Sequence, residues 1–350
     1  MEEKIPVSIV YLGKRGGGAK ITAQILRDLN TSKSFLTIST GIRRDNELAK
    51  EYDQSKNVYL FNSLISFTTP MHLLKYFLAP RKLLEDLNLS SNGYCIVPMI
   101  SPLGLVIEFL LKTQGITVIR LLHDFEKHPG EIWPPNFLIR YLVNHSSFLI
   151  SLGNNVGDKI RNLNPSIKLA VYPHPPFDFL YSPIDFQPTH EYILFIGRIR
   201  KYKGVENLIS GFVQLEIPGL NLVIAGEGKL PVFEHPRIKV INRWLAENEI
   251  ASLVQNAEIV VFPYIEASQS GLLPYCVSEN KKVVVTPLPG LLEQTIGYQN
   301  TYVTKDFSID SLSHSLLSAM QSETYKAETE TPISKNIETC LLESGLFIKK

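Results

Sequence analysis

Cysteine, net charge and long apolar runs are all scarce in this sequence. The 350 residues include three cysteines, Cys95, Cys276 and Cys340, and no two of them form a CxxC pair. This argues against a disulfide framework or a structural zinc site and fits a reducing compartment. The net charge of +1 also supplies no global basic field of the kind that nucleic-acid binders carry, so we expect no nucleic-acid partner.

No segment has the composition of a membrane-spanning helix. The most apolar stretch, residues 94–111, contains Pro98, Pro102, Gly104 and Glu108, and a buried strand followed by a helix explains it better. The amino terminus reads MEEK before a short apolar run, which is not the pattern of a signal peptide. We therefore expect a cytoplasmic protein.

Short β-branched and aromatic runs alternate with helical patterns through most of the chain, which predicts parallel βα units in doubly wound sheets. The predicted strands are residues 7–12, 35–39, 58–61, 94–98, 117–122, 148–151, 168–172, 192–196, 220–225, 238–241, 259–262 and 282–286. The predicted helices are residues 18–30, 70–87, 103–114, 135–144, 156–164, 205–213, 245–255, 270–280 and 311–320.

A proline-rich segment without periodicity, residues 173–190, interrupts this alternation and is the predicted linker. At ~100–200 residues per domain, the length fits two α/β domains. We place an amino-terminal, acceptor-side domain at residues 1–180 and a carboxyl-terminal, nucleotide-sugar-binding domain at residues 186–322. Residues 323–350 form a tail that we expect to pack back on the first domain.

The segment YILFIGRIRKYKGVENLISGF, residues 192–212, places a basic loop between a predicted strand and a predicted helix. Arg198 and Lys203 would stand beside a helix amino terminus at the carboxyl end of a strand. Cations and free backbone N–H groups at such a position suit a pyrophosphate. An isolated basic loop is about as often simply solvated, so the segments downstream decide between these interpretations.

Four segments in a fixed order resemble GT-B retaining glycosyltransferases of family 4, the group 1 type. They are residues 192–212, LVIAGEG (222–228), NRWLAENEIASLVQNAEIVVFPY (242–264) and EASQSGLLPYCVSENKKVVVTPLPGLLEQ (266–294). The resemblance covers residues 191–321 well and the first domain loosely. It implies an α/β fold of GT-B architecture, with two Rossmann-like doubly wound parallel-sheet domains facing a central cleft.

The resemblance also implies a donor site, residue by residue. Arg198 and Lys203 take the places that hold the donor pyrophosphate, where positive charge stabilises the leaving nucleoside diphosphate. Glu266 is the carboxylate expected to reach the donor sugar. The other predicted donor contacts are Gly17, Gly18, Gly197, Glu227, Ser270, Gly271, Leu272 and Glu293. Ser270 and Glu293 could equally cap helices.

The sequence departs from the family at one pair of positions. The family often carries two glutamates separated by seven residues around this loop, and those places hold Ser268 and Cys276. The second glutamate usually binds the ribose, so that contact is in doubt. The departure leaves open a catalytically degenerate nucleotide-sugar-binding partner protein. A nucleotide-sugar epimerase of the same architecture is the other alternative, although the acid–base pattern that it needs is not evident in the sequence.

Glycines and a His–Asp pair are the candidates in the first domain. Gly17 and Gly18 belong to a glycine-rich turn after a strand, where a ligand can approach the backbone; a flexible turn is the alternative, and we favour the ligand-lining role that the family resemblance implies. The pattern is neither GxGxxG nor a Walker motif. His123 and Asp124 end an apolar strand. The family often has a histidine here, near the anomeric centre, so we expect His123 in catalysis and Asp124 on the acceptor side.

Metal binding is a competing interpretation for His123, Asp124, Glu126 and His128. One short cluster without a distant partner is weak for zinc, and the chain has no DxD triplet. We therefore expect neither a metal nor another cofactor. An ordinary loop remains the alternative for Glu126 and His128.

The sequence thus predicts a metal-independent retaining glycosyltransferase of the hexosyltransferase kind. It would move a sugar from a nucleotide-diphosphate sugar to a saccharide or lipid-linked acceptor, in bacterial surface polysaccharide or lipopolysaccharide synthesis. Residues 71–87, which are apolar with Lys75, Arg81 and Lys82, suggest peripheral contact with the inner face of the membrane. A helix that packs on its own sheet is the alternative explanation for that segment.

Overall fold

The computed structural model describes residues 4–43, 58–61, 76–79, 81–86, 93–129, 133–179, 181, 191–230, 234–325 and 335–345. The chain forms two compact units. Unit 1 comprises Met1–Lys127, Ile132–Pro173 and Lys335–Lys350, and unit 2 comprises His128–Glu131 and His174–Ser334. Each unit is an α/β body built on one parallel sheet.

Unit 1 contains seven described strands. They are β1 (Ile5–Tyr11), β2 (Phe35–Arg43), β3 (Val58–Phe61), β4 (Tyr94–Val97), β5 (Thr117–Leu122), β6 (Phe148–Ser151) and β7 (Lys168–Val171). Its first helices are α1 (Gly17–Thr31), α2 (Arg81–Asp86), α3 (Pro102–Thr113), α4 (Asn136–His145) and α5 (Asn154–Leu163). The strand order β3-β2-β1-β4-β5-β6-β7 reverses direction between β1 and β4. Loops after these two strands therefore border a crevice.

Unit 2 contains six described strands. They are β8 (Tyr192–Ile196), β9 (Asn221–Ala225), β10 (Ile238–Ile241), β11 (Ile259–Phe262), β12 (Lys282–Val285) and β13 (Thr301–Val303). Its helices are α6 (Val205–Val213), α7 (Glu247–Asn256), α8 (Leu273–Ser278), α9 (Pro289–Gln294) and α10 (Ile309–Gln321). The order β10-β9-β8-β11-β12-β13 reverses between β8 and β11, which makes that point the ligand-binding position expected for such a sheet.

The central strands are apolar because both faces of each sheet are covered. Every residue of β8, β11 and β12 is buried, as expected for parallel strands with helices on both sides. Lys282 is the exception in residue type: its ammonium is buried in an ion pair with Glu258, 2.8 Å from the carboxylate oxygen. The apolar runs that predicted strands are therefore the core of each unit.

A last helix, α11 (Ile337–Glu343), belongs to unit 1. The backbone N–H of Ile337 donates to Asp28 Oδ2 at 3.1 Å, and Glu338 Oε1 accepts from the backbone N–H of Ser34 at 2.9 Å. Tyr172 Oη also donates to Asp28 Oδ2, at 3.2 Å. These side-chain carboxylates fasten the helix to α1 and to the start of β2.

The predicted linker needs a correction. The segment that begins at His174 packs within unit 2, because Phe177 and Phe179 are each only 7% exposed. The ring of Phe179 meets the ring of Tyr275 edge-on at 4.7 Å. The amino-terminal part of unit 1 therefore ends at Pro173, before the predicted boundary at residue 180, and unit 1 resumes at Lys335. Residues 180 and 182–190 lie outside the described residues.

The segment predicted as one apolar helix at 70–87 is only partly described, since residues 70–75, 80 and 87 lie outside the described residues. Tyr76 and Leu83 are buried in a core cluster with Val97 and Ile107, so part of the apolar face packs on its own unit. Phe77 and Leu78 are 49% and 78% exposed. Within the described parts of the chain, no helix combines the length and the apolar character needed to cross a membrane.

Candidate functional site: two loops at the switch point of unit 2

Two loops meet at the strand reversal of unit 2. The loop after β8 carries the basic residues and includes a single 3₁₀ turn, Lys201–Lys203. The loop after β11 begins at Pro263, and β8 and β11 are parallel neighbours. The backbone N–H of Ile265 donates to the Tyr202 carbonyl at 2.8 Å. The basic loop and the loop that contains Ser268–Gly271, called the SQSG loop, therefore form one connected surface at the carboxyl edge of the sheet, which we call the cradle.

Gly204 permits this close approach of the two loops. Its φ of +66° lies in the left-handed region, and a Cβ at this position would lie 1.9 Å from the Pro263 carbonyl oxygen. A similar contact joins the SQSG loop to α9, since a Cβ on Gly290 would lie 1.8 Å from the Ser268 carbonyl oxygen. Backbone contact at these two points leaves no room for a side chain.

We expect Gly204→Ala to destabilise unit 2 by more than Gly219→Ala does. Gly219 has a similar φ of +79°, but a Cβ there would have no neighbour within 4 Å, so its alanine variant incurs only left-handed strain, ~1–2 kcal/mol. Gly204→Ala adds a steric clash of about 1–3 kcal/mol. Trp133 and Trp244 lie in different units. Urea unfolding followed by Trp244 fluorescence in a Trp133→Phe background measures both variants, and equal losses would contradict the close approach.

Lys203 is the cation of the basic loop that packs against the loop after β11. Its side chain is half-buried, and its ammonium lies 3.5 Å from the centroid of the Tyr264 ring. Arg198 lies two positions after the end of β8 and is exposed, as are Arg200 and Lys201. Of the four basic residues of this loop, only Lys203 packs its charged group against an aromatic ring in the contacts given above, and the other three are exposed.

Ser270 is held from two sides. Its Oγ lies 3.2 Å from the Tyr264 hydroxyl. The side-chain amide of Gln294 accepts from the Ser270 N–H at 2.8 Å and donates to the Ser270 carbonyl at 2.9 Å. Helix α8 begins three positions later with Leu272 as its N-cap, so Ser270 is not the helix cap that the sequence left open. Gly271 and Leu272 are half-buried between Ser270 and that helix.

Glu266 projects beside the basic loop with 48% of its side chain exposed. Its Oε1 lies 3.4 Å from His128 Nδ1. The His128 ring stacks on Tyr202, with centroids 4.7 Å apart. The sequence left His128 as an ordinary loop residue, because nothing in a linear pattern connects positions 128 and 266. The two side chains form a carboxylate–imidazole pair next to the cradle.

Cys276, the residue that replaces the second family glutamate, faces the core. It is fully buried in α8, and this burial raises the pKa of its thiol far above the ordinary value. Ser268 is half-buried, with its carbonyl against Gly290. In this chain, position 276 therefore supplies no group to a ribose.

The remaining donor candidates lie around the same edge. Glu227 is exposed in the turn after β9, and its carbonyl accepts from the Ile199 N–H at 2.9 Å, which holds this turn beside Gly197 and Arg198. Glu293 is half-buried near the end of α9, so it does not cap the amino terminus of that helix.

The first-domain candidates all belong to unit 1. Gly17 is exposed at the start of α1, whereas Gly18 is buried, and a Cβ there would lie 2.8 Å from the Tyr11 hydroxyl. Packing thus accounts for Gly18. His123 follows β5 and donates from Nε2 to the Pro98 carbonyl at 2.9 Å, and Asp124 beside it is half-buried.

His123 is neutral at pH 7. Desolvation lowers the pKa of the imidazole below its ordinary value, against smaller opposing effects of Asp124 and of the Pro98 carbonyl. A carbonyl can only accept, so Nε2 carries the proton and Nδ1 is the acceptor nitrogen of the ring. Among the described residues there is no group of three or more His, Cys, Asp or Glu side chains arranged to hold a metal ion.

Two sequence comparisons each match about half of the chain. Residues 181–338 match the family described as glycosyl transferases group 1. The GDP-mannose:glycolipid 4-beta-D-mannosyltransferase of Xanthomonas campestris pv. campestris is 26% identical over 184 residues, which are 50% of this chain and 51% of that protein. The chain therefore spans about half the length of the curated relatives it matches.

Solved structures resemble the whole chain in fold. Anabaena HepE in complex with UDP-glucose is similar with a TM-score of 0.64 and 14% identity, over 90% of each chain. A putative UDP-N-acetylglucosamine 2-epimerase from Listeria monocytogenes is similar with a TM-score of 0.64 and 11% identity, over 98% of this chain and 97% of that one. At such identities the likeness shows the fold alone, which is the two-domain α/β fold called GT-B.

Proposed function

We propose that this chain, whose residues 181–338 match the family described as glycosyl transferases group 1, transfers a sugar from a nucleotide-diphosphate sugar to a saccharide or lipid-linked acceptor. The observation that carries the proposal is the pairing of Lys203 and Ser270. They belong to loops after neighbouring strands, and both contact Tyr264 at the switch point of unit 2. The Lys203 ammonium lies over the Tyr264 ring, and Ser270 Oγ faces the Tyr264 hydroxyl. A cation and a hydroxyl at such a crevice suit a diphosphate.

In the proposed reaction, the bond between the anomeric carbon and the diphosphate oxygen breaks, and the nucleoside diphosphate leaves with the electron pair. The acceptor hydroxyl oxygen bonds to the same carbon and gives its proton to the leaving phosphate. Arg198 and Lys203 stabilise the negative charge that develops on the diphosphate. The family resemblance assigns His123, whose Nε2 donates to the Pro98 carbonyl, to the donor sugar near its anomeric centre. No step in this scheme requires a metal.

Retention of the anomeric configuration is the part of the proposal that rests on the family resemblance. The Xanthomonas relative is named as a 4-beta-D-mannosyltransferase, so product stereochemistry is a necessary measurement. The NMR coupling of the anomeric carbon to its proton, compared between donor and product, distinguishes retention from inversion. Inversion would overturn the retaining mechanism and direct attention to Glu266 as a general base.

The first experiment is a thermal-stability panel of UDP-, GDP-, ADP-, dTDP- and CMP-sugars, with GDP-mannose and UDP-glucose included because they occur in the names of the similar proteins. We expect one diphosphate class to stabilise the protein, by ~2.7 kcal/mol at a hundred times its dissociation constant. The CMP-sugars lack a diphosphate and serve as a negative control. Absence of a shift with every diphosphate donor at millimolar concentration would overturn the proposal.

Arg198→Ala should abolish that shift, whereas Arg200→Ala should preserve it. Both side chains are exposed in the same loop, and the Arg200 guanidinium donates to the carbonyl of its own neighbour Ile199, at 3.1 Å. The pair therefore separates a specific diphosphate contact from a general effect of positive charge. If both variants lose the stability shift equally, Arg198 acts only through the overall positive charge of the loop.

An epimerase acting on the nucleotide sugar is the second candidate, favoured by the Glu266–His128 pair, whose facing atoms are 3.4 Å apart. A carboxylate and an imidazole are the groups that general acid–base catalysis uses. Incubating the donor without an acceptor separates the candidates, since an epimerase converts the free donor. Donor binding with neither transfer nor interconversion would identify a degenerate binding partner.

We also propose that the protein acts in the cytoplasm at the inner face of the membrane. Exposed Phe77 and Leu78 adjoin the basic residues Arg81 and Lys82, which are exposed as well. Apolar and basic side chains together favour an anionic lipid surface. We expect co-flotation with anionic liposomes and its loss in Phe77→Ser with Leu78→Ser. Flotation that is equal with neutral liposomes, or none at all, would contradict this contact.

A further inference from the structure

Tyr264 lies between the two halves of the cradle. It lies two positions after the end of β11, is 2% exposed, and contacts Lys203 through its ring and Ser270 through its hydroxyl. The sequence motifs assigned no role to it. Its position at the strand reversal places it under both loops, since β11 and β8 are neighbours.

The aromatic ring of Tyr264 holds the positively charged ammonium of Lys203. The Lys203 ammonium is 3.5 Å from the ring centroid, and it is also 5.3 Å from the ring of Tyr202. An ammonium over an aromatic face is attracted by the ring quadrupole, and the attraction grows as water is excluded. The lysine side chain has four rotatable bonds, so a fixed aromatic face reduces the freedom that ligand binding would otherwise remove.

The hydroxyl of Tyr264 orients an uncharged hydrogen-bonding group, the hydroxyl of Ser270. Its oxygen lies 3.2 Å from Ser270 Oγ, while Gln294 holds the backbone of Ser270 on the other side. Burial raises the pKa of the Tyr264 phenol well above its ordinary value, so the group stays protonated at any physiological pH. A protonated phenol can donate to Ser270 Oγ and leave the serine hydroxyl hydrogen for a ligand oxygen.

The backbone and ring of Tyr264 are themselves fixed. Thr286 Oγ1 donates to the Tyr264 carbonyl at 2.6 Å, and the Phe262 ring packs edge-on at 5.8 Å. The next residue, Ile265, donates its N–H to Tyr202. A residue whose backbone is held by Thr286, just after β12, and whose neighbour is held by the basic loop is a rigid support rather than an adaptable contact.

We propose that Tyr264 is the positioning residue that presents Lys203 and Ser270 together to the terminal phosphate of the donor diphosphate. It thereby sets the preference of the site for nucleoside diphosphates over monophosphates. This inference rests on the proposed function, because it assigns a task within the same site. It predicts that the ring and the hydroxyl of Tyr264 act through different partners.

The test measures dissociation constants for UDP against UMP and for GDP against GMP by calorimetry, in the full-length protein. Tyr264→Leu removes the ring, and we expect diphosphate affinity to fall by about 10- to 30-fold. Tyr264→Phe keeps the ring, and we expect a fall of about 3- to 10-fold. Monophosphate affinity should be unchanged in both variants, which also shows that the nucleotide site is folded.

Paired substitutions test whether Tyr264 acts through the named partners. In a Lys203→Ala background, Tyr264→Leu should lower diphosphate affinity only by the smaller factor expected for loss of the hydroxyl. In a Ser270→Ala background, Tyr264→Phe should cause no further loss of diphosphate affinity. Fully additive losses, equal losses for diphosphate and monophosphate, or tighter diphosphate binding by Tyr264→Leu would each overturn the inference.

The same measurements separate the inference from the proposed function. If Lys203→Ala weakens diphosphate binding and Tyr264→Leu does not, the donor site stands and the positioning role is wrong. If the wild-type protein binds neither UDP nor GDP, and no other nucleoside diphosphate, the proposed function and the inference are both overturned.

Discussion

Lys203→Ala is expected to lower kcat for sugar transfer by about 100- to 1,000-fold, the loss typical of removing one group that stabilises developing transition-state charge. The reason is position. Lys203 is half-buried with its ammonium on the Tyr264 ring, in a crevice where charge interactions are stronger than in water. The measurement is steady-state transfer from the donor that the stability panel identifies.

Lys201→Ala is the matched control, because Lys201 lies in the same 3₁₀ turn and is exposed. An exposed charge of this kind contributes ~0–1 kcal/mol, so kcat should change by less than about fivefold. Similar losses for both lysines would mean that the loop acts through its overall charge. A loss of affinity without a loss of kcat in Lys203→Ala would mean that the ammonium binds donor and transition state equally.

Arg120→Met is expected to destabilise unit 1 by about 3–5 kcal/mol, because it leaves Glu108 as an unpaired buried charge. Both side chains are only 3% exposed. The Arg120 guanidinium forms a salt bridge with Glu108 and donates to Ser146 Oγ at 2.5 Å. Unfolding followed by Trp133 fluorescence in a Trp244→Phe background reports on unit 1, which contains Trp133.

Two further variants give this stability prediction its controls. Arg161→Met removes a cation from an exposed pair in the same unit, with Asp158, and should cost less than about 1 kcal/mol. Replacing both buried partners, Glu108→Leu with Arg120→Met, should recover most of the lost stability, since an apolar pair leaves no unpaired charge. A double variant as unstable as Arg120→Met would show that packing, not charge, dominates at this position.

Local patterns were sufficient for most of the regular structure. The strand at 238–241 and the helix at 205–213 coincide with β10 and α6, because a run of apolar residues with the right period needs no knowledge of its neighbours. Strand β13, which has three residues and exists through its pairing with β12, was not predicted, and neither were the short helices α9 and α11. Elements this short depend on tertiary contacts for their stability.

The sequence by itself determined the chemistry available at the site: a basic loop after one strand, a serine–glycine loop after another, and no second family glutamate at Cys276. Only the tertiary structure decided which of those groups meet. Tyr264 under Lys203, Gln294 on Ser270 and His128 beside Glu266 join residues that are far apart along the chain. The contact of Tyr264 with Lys203 follows from strand order, because the reversal between β8 and β11 brings their loops together, and no local pattern of residues specifies that order.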